Sequence, residues 1–194
     1  MPSLEQVKKL REQTGAGVVD AKKALVESGD DLEKAALLLR KKGQAKALKK
    51  AGRAASQGII EAYVHQGRVG VLLELNCETD FVARNEKFRE LAHELALQIA
   101  STDPKVVKPE QITAAMLAAE REVAMENLKG KPAGIAEKAV AGKLKKFAEE
   151  QALLTQVSIR NPDETVQDVV TRYIQQIGEN IQVGRFCRFE IGRE

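Results

Sequence analysis

The near-neutral base and thiol chemistry of this 194-residue sequence rests on His65, His93, Cys77 and Cys187. Histidine is the commonest general base. His65 sits beside a hairpin turn, however, and His93 on a charged helix flank, and neither has a nearby cysteine or ligand partner. Both read as surface or structural residues. Cys77 shares the parity of an apolar strand face, where a free thiol behaves as a small buried hydrophobe. Cys187 reads the same way, with a contact to a second subunit as the alternative. Gly15-Ala16-Gly17 invites a phosphate-loop reading, but a helix precedes it where a strand is required and no GKS or GKT follows. It reads as a tight turn between helices. No catalytic residue, cofactor site or metal site is expected, and the chain is not read as an enzyme.

Three stretches suit binding better than catalysis. Val18-Val19 follows the glycine turn, with Lys22 and Lys23 close by. Two adjacent β-branched residues cannot both face one helix's core, so one is expected at the surface, in a turn packed on a linker or in a small docking site. Arg40–Arg53 holds seven basic residues and no acid. It could contact phosphates, but it has no interleaved aromatic for base stacking and reads as a solvated charge run. In ELNCETDFVAR (Glu74–Arg84), Thr79 is a helix N-cap candidate and Asp80-Phe81-Val82 places an aromatic beside an acid in the first turn. An acid there suits the positive helix end. Phe81 is either a staple onto the following helix or an aromatic knob for a partner's pocket.

These stretches must be positioned by a mixed set of elements. Residues 1–43 read as three short amphipathic helices, the first opened by a Ser3/Gln6 capping box. Its inner face carries Leu4, Val7 and Leu10; the second helix turns Ala21, Ala24 and Leu25 inward; the third, capped by Asp30 or Asp31, ends at Gly43. Residues 44–57 read as an exposed, partly helical basic linker, and 58–194 as an α+β core and dimerisation domain. In that core, GIIEAYVH and RVGVLLELNC flank Gln66-Gly67 as a β-hairpin. Asn85 caps a helix with Phe88, Leu91, Leu95 and Ile99 on one face, and two further helices are expected on either side of Gly130-Lys131-Pro132. A short strand is expected over Leu153–Ile159, then a helix capped by Thr165 and stopped by Gly178. In the last strand Ile181, Val183, Cys187, Phe189 and Ile191 share a face that Arg185 interrupts. Helices and antiparallel strands in this order imply an antiparallel sheet covered by helices.

Composition fits this reading. Apolar residues make up 43% and charged residues 30%, which argues against disorder. No apolar run is long enough to span a membrane and no secretory signal opens the chain, so a cytoplasmic protein is expected. Residues 1–57 hold 13 Lys/Arg against 7 Asp/Glu, whereas the rest hold 18 against 21, which suggests two units with different surfaces.

LREQTGAGVVDAKKAL (Leu10–Leu25) and ELNCETDFVAR resemble the two signature stretches of the bacterial translation elongation factor Ts family. GKPAGIAEKAVAGKLKKF (Gly130–Phe147) and RFCRFEIG (Arg185–Gly192) fit the same family, so the resemblance covers essentially the whole chain in order. It implies an N-terminal module similar to ubiquitin-associated domains. It also implies guanine nucleotide exchange on elongation factor Tu, through binding of the GDP-bound and nucleotide-free forms. Thr79, Asp80, Phe81 and Val82 would disturb Tu's magnesium site, with the phenylalanine wedged between helices of Tu's nucleotide-binding domain. Arg11, Val18 and Val19 fall where the family contacts Tu; many members carry methionine where this chain has the two valines. The chain is expected to lack the duplicated half-core and the helical hairpin of longer members. It would thus pair as a homodimer, like the short forms, with the Cys187 strand in the contact. A basic RNA-associated ribosomal accessory protein is the alternative, resting on Lys46, Lys49 and Lys50.

Overall fold

The computed structural model describes residues 1–127 and 133–193; Gly130-Lys131-Pro132, and with it the start of the Gly130–Phe147 stretch, lies outside the described residues. Ser3 and Gln6 close their reciprocal capping box at the head of α1 (Leu4–Thr14), and Gly15, at φ 66°, ends it in the left-handed region. α2 (Val18–Glu27) and α3 (Leu32–Lys50) follow, the latter capped by Asp31, which accepts from the Lys34 amide at 3.0 Å. Val7, Leu10, Ala21, Ala24, Leu25, Ala35 and Leu39 form the small core between them. Leu4, at the first position of α1, stays exposed and contributes nothing to that face.

The sheet is β1 (Gln57–His65), β2 (Val69–Cys77) and β3 (Ile181–Glu190), antiparallel in that spatial order. Gln66 and Gly67, with φ 49° and 68°, make the tight turn between β1 and β2, as a right-twisted hairpin demands. β2 sends Val71, Leu73, Leu75 and Cys77 inward, where α5 (Glu86–Thr102) and α8 (Val166–Ile177) cover them with Phe88, Leu91, Leu95, Ile99, Val170 and Ile174. The expected single face of the last strand is broken. The register shifts between Glu74 and Leu75, so β3 carries an extra residue at Gly184 and its alternation inverts. Ile181 is buried and Val183 half-buried, Phe186 takes the inner side further on, and Cys187, Phe189 and Ile191 point outward.

A further expectation is corrected. Leu153–Ile159 is not a strand: Leu153–Thr155 is a 3-10 turn that buries Leu153 and Leu154, and only single bridges form, Val106 with Ala152 and Val157 with Thr165. A short apolar run does not distinguish these outcomes. The two helices expected on either side of Gly130-Lys131-Pro132 are present. α6 (Ala114–Glu126) and α7 (Ala133–Gln151) pack through Ala124 and Val140, with Ala136, Ala139 and Leu144 partly buried. Among the described residues there is one three-stranded sheet.

α3 does not stop at Gly43 but continues to Lys50. The glycine serves a close approach: a Cβ at Gly43 would lie 1.2 Å from Nε2 of Gln175 on α8. Most of the basic run stays exposed yet is paired with groups of this chain. Arg40 donates through both Nε and Nη2 to the buried carboxylate of Asp168, itself the third residue of the α8 capping box. Lys50 donates to the Gly178 carbonyl, where a cation suits the negative end of α8. Lys42 pairs with Glu27, Lys46 with Asp20 and Arg53 with Glu78.

Burial pushes the Asp168 pKa up, but the hydrogen bonds from Arg40 and Thr165 outweigh it and hold the group below its ordinary 3.8. A depressed carboxylate stabilises the native state fully above its unfolded pKa and loses that contribution as pH falls through the folded value. Arg40→Ala is therefore expected to destabilise the chain by about 1 kcal/mol at neutral pH, a low figure because Arg40 remains partly open to screening water. Denaturant unfolding should show the gap between wild type and variant closing as pH falls below the ordinary carboxylate range and Asp168 becomes protonated.

Candidate partner-binding site

β2 ends at Cys77, and the chain turns at once into α4 (Asp80–Ala83). Thr79 is the N-cap, its hydroxyl accepting from the Val82 amide at 3.4 Å. Within this single helical turn the side chains separate sharply. Ala83 is buried, Val82 packs against the main core and Asp80 lies part-way out, held by Arg84 at 3.0 Å. Phe81 is 81% exposed. The staple reading fails on that exposure, because Val82 and Ala83 make the inward contact. An exposed phenyl ring on a one-turn helix is an apolar knob.

The backbone beneath the knob is tied down by residues that sequence reasoning missed. Glu179, just before β3, accepts from the amides of Glu78 and Thr79, each at 3.0 Å, and from the Thr79 hydroxyl at 2.7 Å. Glu78 in turn accepts from the Asn180 amide at 2.6 Å and from Arg53 at 3.5 Å. Cys77 donates its thiol to the Thr79 carbonyl at 3.1 Å. No periodicity links positions 78–79 to 179–180; a glutamate directly after the Gly178 helix stop was the only local hint.

The second surface lies on α2. Val18 and Val19 are 52% and 64% exposed, so both valines, not one, face outward. With Val26 and the stems of Lys22 and Lys23 they line a shallow apolar groove of about 410 Å³. Arg11 lies exposed on α1. A third apolar area is the outer sheet face, where Ile60, Val64, Leu72 and Phe189 are all exposed. Register places Leu72 between Ala62 and Cys187, at the centre of that face.

The thiols and histidines are divided by environment. Burial, reinforced by the Glu179 charge, pushes the Cys77 pKa up to about 11, whereas Cys187 is exposed. Since the thiolate is the reactive form, a disulfide reagent is expected to spare the buried Cys77 in the native protein and to modify it once the chain is unfolded. His65 Nδ1 lies 2.8 Å from the Tyr63 hydroxyl, and His93 Nδ1 lies 3.1 Å from Glu61. Among the described residues no group of three or more His, Cys, Asp or Glu is placed to hold a metal, and no helix is long and apolar enough to cross a membrane.

Fold and surface together define a class: an α+β protein with a three-helix N-terminal part, a helix-covered sheet, and apolar groups displayed on short, well-anchored elements. The profile of the family described as Elongation factor TS matches residues 5–193. The chain is 52% identical over 193 residues to Elongation factor Ts of Thermotoga neapolitana, covering 99% of this chain and 98% of that one. It is 50% identical over 195 residues to the protein of the same name from Carboxydothermus hydrogenoformans, at 99% and 90% coverage. A third, from Thermodesulfovibrio yellowstonii, is 50% identical over 190 residues, at 97% and 96% coverage. The chain belongs to the elongation factor Ts family, and its role is that of a translation elongation factor in protein biosynthesis.

Proposed function

We propose that the chain is a guanine nucleotide exchange factor for elongation factor Tu, acting in the cytoplasm. It binds the GDP-bound form, disturbs the magnesium site so that GDP leaves, holds the nucleotide-free form, and is released when GTP loads. The observation that carries this reading is the exposed Phe81 ring on a clamped turn, at the position where the family inserts a phenylalanine between helices of Tu's nucleotide-binding domain. Asp80 and Thr79 flank the ring on the same turn, and Val82 anchors it to the core. Arg11, Val18 and Val19 supply a separate contact through the N-terminal module, with β-branched side chains where many relatives use methionine.

The mechanism makes and breaks no covalent bond, so it needs neither an acid–base pair nor a cofactor, and the chain acts as a binding protein, not an enzyme. Linkage requires that nucleotide weaken the factor's grip on Tu by the same factor by which the chain weakens the grip on nucleotide. The test is stopped-flow release of fluorescent GDP from Tu with and without the chain. An unchanged release rate at saturating concentration would overturn the reading. The RNA alternative draws less support from the fold, since of the three lysines behind it Lys46 pairs with Asp20 and Lys50 with the Gly178 carbonyl.

The same reading includes a homodimer, with one Tu bound per subunit. What supports it is the apolar outer sheet face centred on Leu72, flanked by the Glu74–Arg185 pair at 2.8 Å. A second copy presenting the same face would cover it and bring Cys187 into the contact.

A further inference from the structure

We propose that Glu179 is a positioning residue for nucleotide release, ordering the turn that presents Phe81 although it lies outside that turn. The inference rests on the exchange reading above. A ring that is 81% exposed receives almost no packing from its own chain. Its direction must therefore be fixed through the backbone that carries it, and order present before binding is order that binding need not impose.

Glu179 supplies that order from the corner between α8 and β3. One carboxylate oxygen takes the amides of Glu78 and Thr79, and the other takes the Thr79 hydroxyl. Because that hydroxyl gives its proton to Glu179, its lone pairs are left for the Val82 amide, which it caps. Three charge-assisted contacts thus converge on Glu78 and Thr79, three and two residues before the knob. The corner is rigid in its own right: Asn180 is 2% exposed, and its side chain donates to the Arg53 carbonyl at 2.8 Å. Glu78 returns the contact by accepting from the Asn180 amide. The two segments clasp each other, and the knob projects from one side of the clasp.

The experiment is a double-mutant cycle on GDP release from Tu, using wild type, Glu179→Ala, Phe81→Ala and the double variant. Glu179→Ala is expected to lower the maximal release rate about tenfold, equivalent to about 1.4 kcal/mol, with a smaller change in the half-saturating concentration. Amide exchange at Glu78 and Thr79 should accelerate. Glu179→Gln, which can still place an oxygen on both amides, should keep at least about half of the rate. In the Phe81→Ala background the Glu179→Ala change should cost less than about twofold, because its effect passes through the ring.

Equal losses in both backgrounds, or a full rate in Glu179→Ala, would overturn the inference. If Phe81→Ala itself releases GDP at the wild-type rate, the exchange reading falls and takes this inference with it; a slow Phe81→Ala beside a fast Glu179→Ala sinks this inference alone. Should Glu179→Ala fail to fold, Glu179→Asp keeps the charge, falls one methylene short of both amides, and carries the same expectation.

Discussion

Phe81→Ala is expected to slow GDP release from elongation factor Tu by about ten- to a hundredfold at saturating factor while leaving this chain's thermal unfolding in place. The magnitude follows from the ring. Burying a phenylalanine contributes about 1.5–3 kcal/mol, and each 1.4 kcal/mol is a factor of ten. The ring is 81% exposed in the free chain, so that gain is still available on binding. The same exposure makes the truncation cheap for the fold: substitutions at such positions stay within about 0.5 kcal/mol, a shift of about 1–2 °C in a chain of this size. Any acceleration beyond a hundredfold must come from Tu itself loosening its hold on magnesium and phosphate, with the ring as the trigger. A release rate that survives the truncation in a variant with a normal melting curve would remove the knob from the mechanism. A variant that melts well below wild type would show that the ring supports this chain's own fold.

Leu72→Lys is expected to leave the proposed homodimer monomeric, weakening association by at least about a hundredfold. Leu72 lies mid-strand on the central strand, opposite Ala62 on one side and Cys187 on the other. A second copy covering the outer face would bury an ammonium group there without a partner, a penalty of several kcal/mol. In the isolated subunit the lysine would point to water, so the fold is expected to persist. Sedimentation across a concentration series reads the change directly. Leu48→Lys, also an exposed apolar position but on α3 rather than on a strand, is the control and should leave association as it was. A Leu72→Lys protein that still sediments as a dimer, or a wild type that is already monomeric, would remove the sheet face from the assembly.

Much of the molecule was readable from residues a few positions apart. The Ser3/Gln6 box, the Thr79, Asn85 and Thr165 caps, the Gln66-Gly67 turn and the buried faces of β2 and α5 all follow from local rules. Hydrogen-bond capping, the period of 3.6 and the period of 2 each act within one or two turns of chain. The family resemblance was legible for a related reason: its motifs are contiguous, so they survive in one dimension.

Which face of each element meets water was decided only in three dimensions. Phe81 could have stapled the helix that follows, but Val82 and Ala83 occupy the inward side and the ring is left outside. Val18 and Val19 both face out because Ala21, Ala24 and Leu25 already fill the small three-helix core. Gly43 looked like a helix stop and is instead the point where α3 meets α8. The extra residue at Gly184 turns Cys187 and Phe189 outward, and strand alternation alone cannot reveal a bulge. The clasp of Glu179 on Glu78 and Thr79 joins segments 100 residues apart. Such pairings depend on how the chain returns on itself. A local pattern settles what each element is, and only the packed chain settles what covers it and what it leaves exposed for a partner.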